Sequence, residues 1–351
     1  MLNISLNTSS YQDLTFIATT FTIITIALAC LTICLDSVIL FRLIYYGKLK
    51  KRSTKSRSRR IGLLHSMNTY IHIIGGTTTF LIMSIQTLFG DLYLYNKEEM
   101  SPSWHCRLLN YLTSMFPAGI YGSCFLQALF RFWRIIKPHQ RSYRKFSFHI
   151  RLIGLHWILI IILSIPVWFR SVYLSSENFC LNRFSDTWSS VYISVTSVAI
   201  PVCSIIIVYL KIVLYMRHSW QSRKRWRRMK RDVATIRRII ILVIVLLNTS
   251  SAAIILWLLM FIQKRMHPLS YRLLCFMVEI GMLACSIALL VVSPQLRRAL
   301  KSTNCYRQKH RSNNKSISSQ FRKNAQEVIP LKDISAVLKA QKQNNPWNQT
   351  K

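Results

Sequence analysis

Residues 15–45 read TFIATTFTIITIALACLTICLDSVILFRLIY, and residues 47–60 read GKLKKRSTKSRSRR. The first stretch is predominantly apolar and longer than the ~20 residues a helix needs to cross ~30 Å of hydrocarbon. The second holds eight basic residues and no acid. Such a span acts as its own insertion signal, oriented by the basic loop behind it, because cytoplasmic loops retain Lys and Arg.

The same alternation continues along the chain. Further apolar runs fall at about 61–89, 106–136, 149–170, 188–216, 237–262 and 270–292. Residues 131–151 hold seven basic residues and no acid, residues 211–238 hold eleven against Asp232, and residues 295–351 hold thirteen against Glu327 and Asp333. Thirty-nine of the 47 Lys and Arg therefore lie on one side of seven spans. The opposite segments are nearly balanced by Asp13, Asp91, Glu98, Glu99, Glu177 and Asp186. The reading is an all-α membrane protein, a seven-transmembrane helix bundle with the N-terminus outside and the C-terminus inside.

The net charge of +36 does not make this a nucleic-acid binder. A soluble chain could not keep seven such spans in water, and the charge sits in short juxtamembrane loops, where it attracts anionic inner-leaflet lipids. Mean hydropathy of +0.27 fits a membrane protein with polar loops. Residues 1–14 are polar, lack a basic n-region and read as an outside tail, with sequons at Asn3-Ile4-Ser5 and Asn7-Thr8-Ser9. Residues 15–301 form the bundle, and residues 302–351 read as a disordered basic cytoplasmic tail with a weak helical patch at 328–340. After Ser293-Pro294, residues 295–300 read as a short amphipathic helix on the inner surface. Loops are short, so consecutive helices are antiparallel neighbours. No internal repeat appears, which weighs against a transporter.

The nine cysteines are no disulfide framework. Cys30, Cys34, Cys124, Cys203, Cys275 and Cys285 lie within spans as small packing residues. Cys106 and Cys180 are the two at the oxidising face. No Ser/His/Asp set, metal-spaced His/Cys cluster or phosphate-cradling Gly loop appears, so nothing indicates an enzyme or a cofactor.

Cys106 opens the third span and Arg131 stands at its inner end, about 37 Å further along a helix rising 1.5 Å per residue. Together with seven spans and an outside N-terminus, this resembles the third helix of the rhodopsin-like (class A) G-protein-coupled receptors. The resemblance covers about residues 15–305 and implies a divergent member. It implies a disulfide between Cys106 and Cys180 of the second outer loop. It also implies a switch role for Arg131 in the triplet Phe130-Arg131-Phe132, facing Tyr209 near the inner end of the fifth span. Trp104, Trp157, Pro201 and Asn68 match at the family's spacing. Asp36 stands at the first-helix position usually held by Asn. Ser293-Pro294-Gln295-Leu296-Arg297-Arg298 resembles the start of the family's surface helix, and Cys305 its palmitoylation site.

The departures are specific. Phe130 replaces the acid before the Arg. With Asn68 setting the register, Ile73 stands where the second helix has an Asp, which implies no sodium site. Asn248-Thr249-Ser250 stands in place of Cys-Trp-x-Pro, and Cys285 to Leu289 in place of Asn-Pro-x-x-Tyr.

An ionisable group inside a span is expensive and is a functional candidate by default. Asp36, His65, His72, Arg131, His156 and Glu279 qualify. Arg131 reads either as a snorkelling charge or as the switch. Asp36 is expected to hydrogen-bond between the first, second and seventh helices. His65 and His156 read as packing or interfacial residues, and His72 is ambiguous. Glu279 lies at the height where the resembling family lines its ligand cavity. An opsin would have its retinal-linking Lys there, which argues against a light receptor. Thr113 stands where aminergic receptors have an Asp, which argues against a biogenic amine. Glu279 either pairs with a cationic ligand group or hydrogen-bonds a neighbouring helix.

The expected function is a plasma-membrane receptor that binds an extracellular peptide or small molecule and activates a heterotrimeric G protein. Two alternatives stand beside it: a degenerate scaffold that keeps the fold without signalling, and a seven-helix channel or transporter.

Overall fold

In lipid every backbone N–H and C=O must be satisfied within the protein, so long apolar segments become helices. A computed structural model shows this outcome. It describes residues 8–49, 57–93, 104–137, 140, 142–174, 179–182, 186–218 and 269–292, together with Arg297 and a discontinuous set between 240 and 262. The helices are α1 (Thr8–Leu49), α2 (Arg57–Tyr93), α3 (Trp104–Ile136), α4 (Phe146–Phe169), α5 (Thr187–Ile193), α6 (Ile200–His218) and α7 (Ser270–Val292). The described residues of the sixth span, between 240 and 262, are helical as well. Five helices among the described residues are long and apolar enough to cross a membrane.

Helices overrun the apolar runs. α1 already begins at Thr8, ahead of the apolar stretch that opens at residue 15. Asn3, Asn7, Cys305, the start of the surface helix at 293–296, and the tail at 302–351 lie outside the described residues.

α3 is the hub: it touches α2, α4, α6 and both strands of a small hairpin, while α1 packs on α2 and α7. α4 shows how such a bundle partitions its side chains. It turns Leu155, Ile158, Leu159 and Ile162 outward and buries His149, His156, Ile160, Ser164 and Val167. An apolar outer face with polar and small groups inward suits a lipid surround, where packing and hydrogen bonds hold helices together. Between α5 and α6 the fifth span widens into a π-helical turn, Ser194–Ala199, whose end is marked by the Ile200 N–H bonding to the Val195 carbonyl. Pro201 explains it: a proline has no N–H to offer the carbonyl four residues back, and the preceding turn loosens.

Candidate functional site

One end of the bundle carries β1 (Val172–Leu174) and β2 (Phe179–Leu181), an antiparallel pair in which Tyr173 faces Cys180. Cys180 is disulfide-bonded to Cys106 at the start of α3, with Cα atoms 5.2 Å apart. Beneath the hairpin, Asn110 Nδ2 donates to Ser171 Oγ at 2.7 Å and to Asn182 Oδ1 at 2.8 Å. Next comes an apolar cluster of Phe80, Met83, Leu109 and Cys275, with Leu181 of the hairpin and Val278 packed against it. Thr113 joins this cluster, its hydroxyl donating to the Leu109 carbonyl at 2.8 Å with Met83 Sδ 3.1 Å away.

Glu279 lies beside the same cluster and is wholly enclosed, with neither carboxylate oxygen hydrogen-bonded. Glu279 sits in the buried stripe Tyr271, Cys275, Met282, Ser286 and Leu289, one helical face of α7 pressed into the bundle.

Midway, α1, α2 and α7 meet at polar groups. Ser286 Oγ donates to Asp36 Oδ2 at 2.7 Å, and the Tyr70 hydroxyl donates to the Ser286 carbonyl at 3.3 Å. Asn68 Oδ1 accepts from Trp157 Nε1 at 3.0 Å, joining α2 to α4. Trp157 in turn stacks on His72, ring centroids 4.2 Å apart. Tyr121 of α3 donates to the Leu246 carbonyl at 2.8 Å and also contacts the Ser250 hydroxyl. The segment that replaces the family's sixth-helix motif is thus tied to α3.

At the other end, Arg131 lies within electrostatic reach of the Tyr209 hydroxyl of α6. Phe130 turns away from this pair. Its ring lies 5.1 Å from His149 and 5.9 Å from His65. His65 Nε2 is 3.1 Å from His149 Nδ1, and His149 Nε2 is 3.0 Å from the Tyr143 carbonyl. A carbonyl only accepts, so His149 carries its proton on Nε2 and, as a neutral ring, accepts from His65 on Nδ1.

A family model described as 7 transmembrane receptor (rhodopsin family) matches residues 63–288. The chain belongs to this family. Among solved structures it is similar to squid rhodopsin, with a TM-score of 0.63 and 12% identity, over 82% of this chain and 81% of that one. At that identity the likeness shows the seven-helix fold alone. No curated protein matches it. The family is one of receptors that signal through G proteins, not of enzymes, and it makes this chain a multi-pass membrane receptor.

This rhodopsin-family receptor gathers its predicted residues into two groups rather than one. Arg131, Tyr209, Phe130 and Phe132 lie at the end remote from the disulfide, whereas Thr113 and Glu279 lie below it. Asp36 meets α7 through Ser286, and Tyr70 brings α2 to the same residue. Ile73, at the family's Asp position, is wholly buried. Two constellations escaped the sequence reading: the His65–His149 pair, and the ion pair of Arg272 with Asp91, N–O 2.5 Å. A charged residue in the first turn of an apolar run was the available signal for Arg272.

Proposed function

We propose that this receptor binds an extracellular ligand in the half of the bundle beneath the disulfide-tied hairpin and activates a heterotrimeric G protein at its opposite, basic face. The observation that carries the proposal is the position of Arg131 against Tyr209, between α3 and α6, at the end remote from Cys106. A helix pair with a guanidinium poised between its members can exchange one arrangement for another. A ligand acts by binding the two arrangements with unequal affinity. Arg131, Phe132 and Tyr209 then meet the G protein, and Phe130 stays with the histidines.

Glu279 and Thr113 are the ligand-facing candidates. With no helix partner on its carboxylate, Glu279 suits a cationic or strongly donating group, on a peptide or a small molecule. Its proposed location is the plasma membrane, where basic inner loops suit anionic inner-leaflet lipids. Glycosylation at Asn3 and Asn7 and palmitoylation at Cys305 belong to the same topology.

The test compares Arg131→Lys with Arg134→Lys, since Arg134 is exposed at the same end of α3. Lys lacks the planar fork of donors that bridges several acceptors. With both variants at the surface, agonist-driven G-protein dissociation falls in the first only, and agonist binding is retained in both. Equal, near-normal signalling in both reduces Arg131 to an interfacial charge. A wild-type chain that binds ligand without releasing a G protein points to the scaffold, a reading that the altered sixth- and seventh-helix motifs favour.

A further inference from the structure

A cavity of about 160 Å³ lies between α3, α4 and the fifth span, apart from both groups described above. Its floor includes Gly122, Ala118, Ser164 and His156. Its rim includes Leu159, Leu163 and Ile200, all exposed on the outer face of the bundle. In a membrane that face meets acyl chains, so the mouth opens to lipid and not to water. The far wall is the π-helical turn, through Thr196 and Ser197, followed by Pro201.

His156 is the group that asks for a ligand. It is 8% exposed, and neither ring nitrogen is hydrogen-bonded. Its neighbour His72 meets it edge to face at 5.5 Å and also has both nitrogens unpartnered, so it satisfies nothing. A buried polar group without a partner is uncommon, because its lost hydration goes uncompensated. The ring fits only because residue 122 is a glycine: a Cβ there would strike His156 Nε2. Neutral imidazole offers one acceptor nitrogen and one N–H.

We propose that this cavity is a second ligand site, reached from within the bilayer, and that it takes a hydroxylated ring whose O–H donates to His156. Size sets the class: an apolar cavity of about 150 Å³ admits a benzene ring. Chemistry sets the substituent, since the apolar rim suits the ring and the unpartnered imidazole suits one hydroxyl.

The experiment uses the full chain in lipid nanodiscs, with 4-fluorophenol and its methyl ether 4-fluoroanisole as ¹⁹F NMR probes. The two share a ring, but only the phenol donates a hydrogen bond. The phenol is expected to bind saturably and about tenfold more tightly than the ether, a factor in the range of one buried hydrogen bond. His156→Phe is expected to remove that preference. Ala118→Leu, which fills the cavity without altering His156, is expected to abolish saturable binding of both probes. Equal affinities for the two probes on the wild-type protein overturn the proposal. So does the absence of saturable phenol binding, or phenol affinity within twofold of wild type in Ala118→Leu. The wild-type comparison and the Ala118→Leu result decide the matter even if His156→Phe does not fold.

Discussion

Arg272 on α7 holds both carboxylate oxygens of Asp91 on α2, at 2.5 and 2.8 Å, with the Thr22 hydroxyl of α1 3.3 Å from the same guanidinium. Three helices are fastened at one point near the disulfide end. Both charged side chains are largely buried, 9% and 16% exposed. Removing one partner strands the other, a loss of about 3 kcal/mol when such a pair is broken. Arg272→Ala should therefore lower the melting temperature in detergent clearly, and exchanging the two residues should recover most of the loss. An unchanged melting temperature in Arg272→Ala would show that the pair fastens nothing.

The Asn68–Trp157 hydrogen bond gives a second prediction. Asn68 Nδ2 already lacks a partner, so Trp157→Phe would leave the buried amide with none at all. The expected cost is roughly 1–3 kcal/mol. Asn68→Leu on top of Trp157→Phe should cost much less than the two single changes added together. A thermal-unfolding double-mutant cycle measures this directly, and strict additivity would refute the contact.

Phe130 carries the third prediction, which rests on the coupling proposal. Phe130 packs on His65 and His149 and gives Arg131 no carboxylate at the adjacent position. Basal signalling is therefore expected to be elevated. Phe130→Asp should reduce ligand-free G-protein dissociation, about tenfold if the resting state gains ~1.4 kcal/mol. Readings are normalised to surface expression. Wild-type activity no higher than an empty-vector control, at good surface expression, contradicts the expectation.

Asp186 supplies a pH prediction. It caps α5, its Oδ2 accepting from Ser189 Oγ at 2.6 Å, with Arg170 3.7 Å away. The Ser189 hydroxyl, more than the nearby Arg170, holds the carboxyl below its ordinary value of 3.8. A depressed carboxyl stabilises the fold above its unfolded value and loses that contribution as pH falls through the folded one. The cap should thus be intact at every pH above about 4 and fail only in stronger acid. Carboxyl carbon NMR checks it: a midpoint at or above the ordinary value would mean that the cap does not hold the charge.

What could be read from residues alone follows a physical division. Spans are legible because lipid imposes a composition on every consecutive residue of a crossing. Cys106 and Arg131 are legible because a single helix sets their separation. Lateral pairings are not: His65 with His149 and Arg272 with Asp91 join residues 84 and 181 positions apart. They depend on which helices lie side by side and at what rotation, and no local pattern reports that. Glu279 marks the boundary between the two cases. Its helical phase with Cys275 and Met282 was visible, but whether that face met a cavity or packed side chains depended on the neighbours.

Gly119 stands where a Cβ would strike the His72 ring, as Gly122 does for His156. These two imidazoles lie against bare backbone, so the seam of α2, α3 and α4 has no slack at either point. A methyl gained on α3 at either point demands that the neighbouring ring shrink or shift. A larger residue at 119 or 122 is therefore expected to be accepted only beside a smaller one at 72 or 156, respectively. A lineage that enlarges either glycine before trimming its partner ring passes through a form in which these helices are pushed apart.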